Sequence, residues 1–217
     1  PPAAKPAAAD PRGFGSTMLR IASIRGLWPL MPIVLVSYAE ILAERGLWIG
    51  PYLAEVHGLD AVARGNTLLI VAVTMSLGAL GYGPLDRLLG TRKWIVLCGS
   101  LATSILFMAL GLWPELPLGT ATVLLAAIGA LGMTYAVLLA HARSFLPEHL
   151  LGRGITLVNL VFFLGAGLLQ PLSGALVATL ASRGLEPPEV FGALHLTFGG
   201  LLLAASLVYL LSTDKQP

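Results

Sequence analysis

The chain has 217 residues, of which 56% are hydrophobic and only 11% are charged, and its mean hydropathy is +0.84. A water-soluble domain could not cover that much apolar surface, so this composition excludes a soluble globular protein. The net charge of +2 comes without any basic cluster interleaved with aromatic residues, and nucleic acid is therefore not an expected partner.

Residues 1–26 are predicted to form a cytoplasmic segment ahead of the first apolar stretch. The run PPAAKPAAAD is typical of an extended, solvated linker. After it, residues 14–27 mix apolar side chains with Arg20 and Arg25, which is typical of a short amphipathic helix on a membrane surface. A chain that opens on a linker is expected to be the second part of something longer.

Six long apolar stretches then predict an all-α membrane protein, a bundle of six transmembrane helices over residues 27–213. Each stretch can supply the roughly 20 apolar residues that a helix needs to cross about 30 Å of hydrocarbon. In chain order they are Leu27–Val56, Ala61–Leu85, Trp94–Trp113, Leu118–Leu146, Ile155–Leu180 and Val190–Leu211. The lipid bilayer is accordingly the first expected partner.

The 13 Lys and Arg residues are sorted between the links that join these stretches. One side of the predicted membrane has only Arg64 and Arg183, and Arg45 falls inside the first span. The other side has the remaining ten: Lys5, Arg12, Arg20, Arg25, Arg87, Arg92, Lys93, Arg143, Arg153 and Lys215. Because cytoplasmic links keep the Lys and Arg excess, both termini are predicted to be cytoplasmic, in a bacterial inner (plasma) membrane.

The first span has one polar face. Projected at 100° per residue, Glu40, Glu44, Trp48 and Tyr52 fall within about 60° of Ser37, and the far side is apolar. A carboxylate at this depth costs several kcal/mol unless it is protonated, paired or hydrated. We therefore predict that Glu40 and Glu44 are proton-coupling residues on a water-facing surface; the alternative is a carboxylate pair that is neutralised by helix contacts or reaches outward.

Arg45 lies at the edge of this face, where neither Glu40 nor Glu44 is placed to pair with it. Its partner should come from another helix, a water-filled cavity or a substrate anion, so substrate binding and a structural ion pair both remain open. The following Gly50-Pro51 predicts a kink or break in the helix.

Further polar and aromatic side chains complete the predicted substrate-binding set. Trp48 and Tyr52 suit a cavity wall, with interfacial anchoring as the alternative. Tyr135 lies at mid-depth in the fourth span, and Asn159 and Gln170 share one face of the fifth. For Asn159 and Gln170 the alternative to substrate binding is a hydrogen bond that holds packed helices together. The third and sixth spans carry little polarity. His195 and the other three histidines share no metal-ligand spacing, so they are interpreted as incidental, and neither a metal nor a cofactor is expected.

The link between the second and third spans reads GPLDRLLGTRK at 83–93. It resembles the G-x-L-x-D-R-x-G-R-K signature of the major facilitator superfamily, in the version found in the C-terminal half of those transporters. The run GLWIGPYL at 46–53 resembles the cavity-facing helix that opens that half, and residues 165–174 resemble its fifth helix. The signature residues, to which we assign a structural and gating role, are Gly83, Asp86, Arg87, Gly90, Arg92 and Lys93.

The resemblance implies one of two pseudo-symmetric six-helix bundles. In such proteins the first, second, fourth and fifth helices of each half line a central cavity, and the third and sixth face lipid. An N-terminal six-helix half, in the same gene or a separate chain, is then an expected partner.

The sequence contains no nucleophile elbow, H-E-x-x-H, P-loop or paired-Asp protease motif. Cys98 is the single cysteine, which excludes an internal disulfide and a two-thiol redox site. An enzyme is therefore not expected. The predicted function is that of the C-terminal half of a proton-coupled secondary transporter, which moves a small organic molecule by alternating access. The alternative is a membrane-embedded accessory or assembly subunit that transports nothing.

Overall fold

The computed structural model describes residues 19–215, so the predicted linker and the first five residues of the predicted amphipathic segment, 14–18, lie outside the described residues. Over this range the chain forms six helices that are long and apolar enough to cross a membrane, and no strand. Their bounds are α1 Arg25–Glu55, α2 Ala61–Leu89, α3 Lys93–Leu112, α4 Leu118–Arg143, α5 Glu148–Ser182 and α6 Pro187–Tyr209. The predicted six-helix architecture is confirmed.

Helix boundaries follow local chemistry. Asp60 caps α2, with its side chain accepting a 2.8 Å hydrogen bond from the N–H of Ala63. Gly90 ends the same helix in the left-handed conformation (φ 63°), which a residue without Cβ adopts at little cost. At the start of α6, Glu186 and Glu189 form a reciprocal capping box around Pro187.

Three helices are irregular within their length. α1 begins as a 3-10 helix over Arg25–Leu30 and contains one π-helical turn over Glu44–Trp48. α4 is interrupted between Leu131 and Tyr135. α5 starts with a short 3-10 turn over Glu148–Leu150.

The six helices pack in pairs. α3 lies along α6, α1 lies between α5 and α6, and α2 lies along α4. In the most apolar stretches of α3 and α6, 56% of residues are buried, against 11% in α2 and 22% in α5. α2 and α5 therefore present broad exposed surfaces, whereas α3 and α6 support the bundle from behind α1.

Both described chain ends lie at one end of the bundle, which we call the terminal end. The opposite end, called the distal end, carries the links at residues 56–60, 113–117 and 183–186. One buried apolar cluster, which includes Leu30, Phe162 and Tyr209, occupies the terminal half. A second, which includes Tyr52, Phe107 and Phe198, occupies the distal half, and the acidic part of α1 passes between the two.

Candidate functional site

The acidic part of α1 leads into its π-helical turn, which begins at Glu44. The N–H of Ile49 donates to the carbonyl of Glu44, five residues earlier rather than four. Such a turn inserts one residue into the helix, is frequent at functional sites, and rotates the residues after it by about 100° around the helix axis. The irregularity predicted at Gly50-Pro51 thus lies one turn earlier, and the helix continues without a break to Glu55.

Both acidic side chains of this stretch are buried. Glu40 is 0% exposed and Glu44 is 2% exposed. Within the described part of the chain, neither oxygen of Glu40 has a hydrogen-bond partner, and Oε2 of Glu44 has none either. The expected water-facing surface is therefore a closed one in the structure, because α5 and α6 pack over this face of α1. The helical wheel could separate the faces of α1 but not tell which of them the neighbouring helices cover.

His195 of α6 is the residue that Glu44 contacts. Its Nε2 lies 3.2 Å from Oε1 of Glu44, and both side chains are sealed from the surface. The Tyr52 ring meets the imidazole edge to face at 5.2 Å, and the Phe107 ring stacks on it at 6.2 Å between centroids. The interpretation of His195 as incidental is wrong in one respect, because the histidine packs directly against a predicted proton-coupling carboxylate.

Arg45 points the other way. It is exposed and lines an open groove between α1 and α2, together with Tyr38, Leu42, Met75 and Ser76. Among residues 19–215 no carboxylate forms a salt bridge with Arg45. A guanidinium cannot lie bare against acyl chains at low cost, so this exposed side of α1 must meet water, another polypeptide or a ligand.

A small cavity lies between the acid and the cation. Glu44 and Arg45 both line it, with Val71 of α2 and Ile128 of α4 among its apolar walls. Neighbours in a helix do not face each other, so the two side chains reach this cavity from different sides of α1. Glu44 consequently borders both the closed interior around His195 and the space next to Arg45.

Two of the predicted substrate-binding residues lie in direct contact. The hydroxyl of Tyr135 in α4 donates a 2.6 Å hydrogen bond to Oδ1 of Asn159 in α5. The Tyr135 ring also packs against Tyr38 of α1 at 5.2 Å and Phe162 of α5 at 4.6 Å between centroids. Tyr38, Tyr135 and Asn159 are all half-buried, so this cluster reaches the surface where α1, α4 and α5 meet.

The other predicted substrate-binding residues are spread more widely. Nε1 of Trp48 donates a 3.0 Å hydrogen bond to Ser173 Oγ in α5, and Ser173 in turn bonds the carbonyl of Gln170 at 2.8 Å. Tyr52 is fully buried, and its hydroxyl donates to the carbonyl of Pro114 at 2.9 Å. Both aromatic rings pack against Phe191 of α6, so they belong to the bundle interior beside the Glu44–His195 pair.

The predicted signature residues form a compact structure at the terminal end. Nε of Arg92 lies 3.3 Å from Oδ2 of Asp86 across the turn that Gly90 makes possible. Gly83 and Arg87 are exposed on the last turns of α2. Nζ of Lys93 donates a 2.7 Å hydrogen bond to the carbonyl of Leu210, which joins this turn to the end of α6.

Asp214 is a further residue of this region, and the sequence interpretation did not include it. Its carboxylate accepts hydrogen bonds from Thr91 Oγ1 at 2.5 Å and from the backbone N–H groups of Lys93 at 3.1 Å and Arg92 at 3.2 Å. Burial alone would raise the pKa of Asp214, but these hydrogen bonds outweigh it and lower the pKa. The carboxylate thus caps the start of α3 from a distant part of the chain, where no local spacing could have indicated it.

The chain was also compared with known families, curated proteins and solved structures. A sequence model of the Major Facilitator Superfamily matches residues 13–217. No curated protein and no solved structure matches the chain. The match spans nearly the entire chain and fits the six candidate membrane helices. The chain therefore belongs to the major facilitator superfamily of membrane transporters.

Proposed function

We propose that this chain is one six-helix half of a proton-coupled secondary transporter that moves a small organic molecule by alternating access. The observation that carries the proposal is Glu40, which is 0% exposed and has no hydrogen-bond partner for either oxygen among residues 19–215. An ionised carboxylate in such a place costs several kcal/mol, so a closed bundle favours the protonated acid. Proton release then requires that water or a cation reach Glu40, and this requirement links the proton to a change in the packing around α1.

The exposed side of the bundle supports a second half as the missing partner. α2 and α5 leave most of their apolar surface uncovered, and Arg45 lies in the groove between α1 and α2. Lipid alone would place the guanidinium in hydrocarbon, whereas an opposing six-helix half would enclose the groove as an aqueous cavity. In this arrangement the two halves rock about a site near the membrane midplane.

The substrate surface that we propose lies on this side. Arg45 offers a cation, and the hydrogen-bonded pair of Tyr135 and Asn159 offers polar groups on an aromatic wall. Arg is suited to carboxylate recognition because its planar fork bonds both oxygens. A small organic anion is therefore the substrate class favoured by these side chains.

The Lys and Arg distribution supports an orientation. Ten of the 13 cationic residues lie at the terminal end or before it, and two lie at the distal end. We therefore place both termini in the cytoplasm, the distal end outside, and the protein in the inner membrane of a bacterium.

The test uses the intact protein in proteoliposomes loaded with a pH-sensitive dye. A panel of small carboxylates and organic cations is added outside while the internal pH is recorded. At least one compound should drive proton movement, and Glu40→Gln should abolish it without lowering the thermal unfolding midpoint. Glu55→Gln, which removes an exposed carboxylate at the end of the same helix, is the matched control and should transport normally.

Two results would contradict the proposal. Compound-driven proton movement that is undiminished in Glu40→Gln would remove Glu40 from the coupling. Compound transport that proceeds with no proton movement would remove the coupling itself. If no compound in the panel moves at all, the accessory or assembly role becomes the better account.

A further inference from the structure

Within the Glu44–His195 pair, His195 lies away from the proposed substrate groove, and Glu44 borders both the closed interior and the cavity that it shares with Arg45. The pair is enclosed by α1, α3 and α6, and the open groove is lined by α1 and α2. The pair includes unpartnered polar atoms in addition to its own contact. Nδ1 of His195 and Oε2 of Glu44 are both buried, and no described residue forms a hydrogen bond with either atom. Buried polar atoms of this kind are uncommon, and each calls for an explanation.

A row of ring contacts runs from this pair toward the distal end. Tyr52 contacts the His195 ring at 5.2 Å and the His57 ring at 5.1 Å between centroids. His57 lies in the link after α1, and its Nε2 is also buried with no hydrogen-bond partner in the range that the structure describes. Burial lowers the pKa of His57, so its imidazole is neutral at physiological pH and has a free nitrogen that can accept a proton.

Charge favours proton entry from this end. The groups that face the distal end include five acidic residues and two cationic ones: Glu55, Asp60, Glu115, Glu186, Glu189, Arg64 and Arg183. Within the bundle, Glu40 lies one helical turn from Glu44 toward the terminal end, and α3 contributes no charged side chain between Lys93 and Leu112. On the groove side the nearest charge is the cation of Arg45, which repels a proton.

We infer that His195 and Glu44 form a second proton-binding site, which exchanges protons with the distal side past Tyr52 and His57 and not through the substrate groove. This inference rests on the proposed proton coupling and names the route by which the proton arrives. His195 acts as the relay and Glu44 as the acceptor, and Glu44 then borders the cavity that it shares with Arg45.

The transfer balances without any additional reagent. His195 starts as the neutral tautomer with its proton on Nε2, donated toward Oε1 of Glu44. A proton from distal water binds Nδ1, which forms a new N–H bond. The Nε2–H bond then breaks as an O–H bond forms on Glu44, which leaves a neutral imidazole and a neutral carboxylic acid. The return of the proton follows the same steps in reverse.

The test follows the protonation of Glu44 directly and needs no substrate. Dicyclohexylcarbodiimide reacts with protonated carboxyl groups in apolar surroundings, and mass spectrometry of peptides locates the adduct. The intact protein is reconstituted in one orientation, and the pH on one side is lowered from about 8 to about 5.5, a range that spans histidine titration. A drop on the distal side should make Glu44 reactive quickly, and a drop on the terminal side should not.

The decisive variant is His195→Gln. Glutamine can keep the hydrogen bond to Glu44 with its amide nitrogen but cannot carry a proton. Labelling of Glu44 after a distal pH drop should be slowed by about a hundredfold, the usual effect of losing a positioned proton-transfer group. His149→Gln removes an exposed histidine at the terminal end and is the matched control, which should label at the normal rate.

Each outcome bears on the inference. Equal labelling rates in His195→Gln and the wild type, or equal labelling from the two sides of the wild type, would overturn it. If His195→Gln fails to fold, the comparison of the two sides in the wild type decides alone. Sided labelling without compound-driven proton movement would leave the relay standing while the transport proposal fails. Normal compound-driven proton movement in folded His195→Gln would contradict the relay and leave the transport proposal standing.

Discussion

Gly165 of α5 lies directly against the backbone of Leu35 in α1. A methyl group on its Cα would overlap the carbonyl oxygen of Leu35, so no residue larger than glycine fits without a shift of one helix. Gly78 of α2 makes the same kind of contact with the carbonyl of Ala130 in α4. Small residues at crossings allow membrane helices to approach closely, and these two glycines set the spacing of the α1–α5 and α2–α4 pairs.

Substitution of Gly165 by Ala should destabilise the bundle. Because the clash is with backbone, the helices must separate, and overpacking of this kind costs about 1–3 kcal/mol. The matched control is Gly167→Ala on the same helix, where an added methyl group meets no atom of the described residues within 4 Å. That variant should be neutral or slightly more stable, since alanine favours helix. Thermal unfolding of both variants in detergent measures the difference, and equal midpoints would contradict the close approach.

Replacement of Tyr135 by Phe should weaken substrate binding with little effect on folding. The change removes the hydroxyl that bonds Asn159 but keeps the ring that packs on Tyr38 and Phe162. The pair belongs to the proposed substrate surface, so we expect the change to cost one hydrogen bond to the bound compound, about 1 kcal/mol, which corresponds to about a fivefold rise in the compound concentration for half-maximal flux. Dose–response curves with an active compound measure it, and an unchanged curve would place the pair outside the substrate site.

Arg45 should decide whether anions are transported. Arg45→Gln removes the charge and Arg45→Lys keeps it while losing the planar fork, so the two variants separate charge from geometry. We expect carboxylate-driven flux to be lost in the first and reduced by about tenfold in the second, because a charge-assisted hydrogen bond is worth about 1.5 kcal/mol or more. Both should fold normally, since Arg45 is exposed. Normal carboxylate flux in Arg45→Gln would argue for a structural role instead.

Asp214 predicts a pH dependence for the attachment of the C-terminal tail. Its hydrogen bonds to Thr91 and to the start of α3 favour the carboxylate, and they hold its pKa below the usual 3.8. The stabilisation is therefore complete above about pH 3.8, the pKa of the carboxyl group in the unfolded chain. It is lost as the pH falls through the lower pKa that Asp214 has in the folded protein. At pH 5–8 the unfolding midpoint of Asp214→Ala should lie a few degrees below that of the wild type, as expected for the loss of a helix cap. In stronger acid the unfolding midpoints of the two proteins should converge.

Differential scanning fluorimetry across this pH range measures both curves. Thr213→Ala, which keeps the carboxylate and the backbone carbonyl that meets His141, is the matched control. A gap between wild type and Asp214→Ala that persists at the lowest pH would contradict the assignment of the stabilisation to the ionised carboxylate.

Local information in the chain was enough to identify the spans and their class. Runs of about 20 apolar residues must be helical in a bilayer, because no other conformation satisfies its backbone hydrogen bonds within the segment. The turn at Gly90 and the neighbouring Asp86 and Arg92 were likewise visible, since a left-handed glycine and a nearby ion pair depend on residues close in sequence. Glu40, Glu44 and Arg45 stood out because charge inside a span is costly wherever the helix faces.

Only the tertiary structure decided the direction in which those side chains point. The burial of Glu40 and Glu44 depends on how α5 and α6 cover α1, and the π-helical turn at Glu44–Trp48 shifts the residues after it around the helix axis. His195 contacts Glu44, which lies 151 positions earlier in the sequence. Asp214 contacts Thr91, which lies 123 positions earlier. A helical periodicity reports which residues share a face, but the identity of the neighbour on that face comes from the packing of the whole bundle.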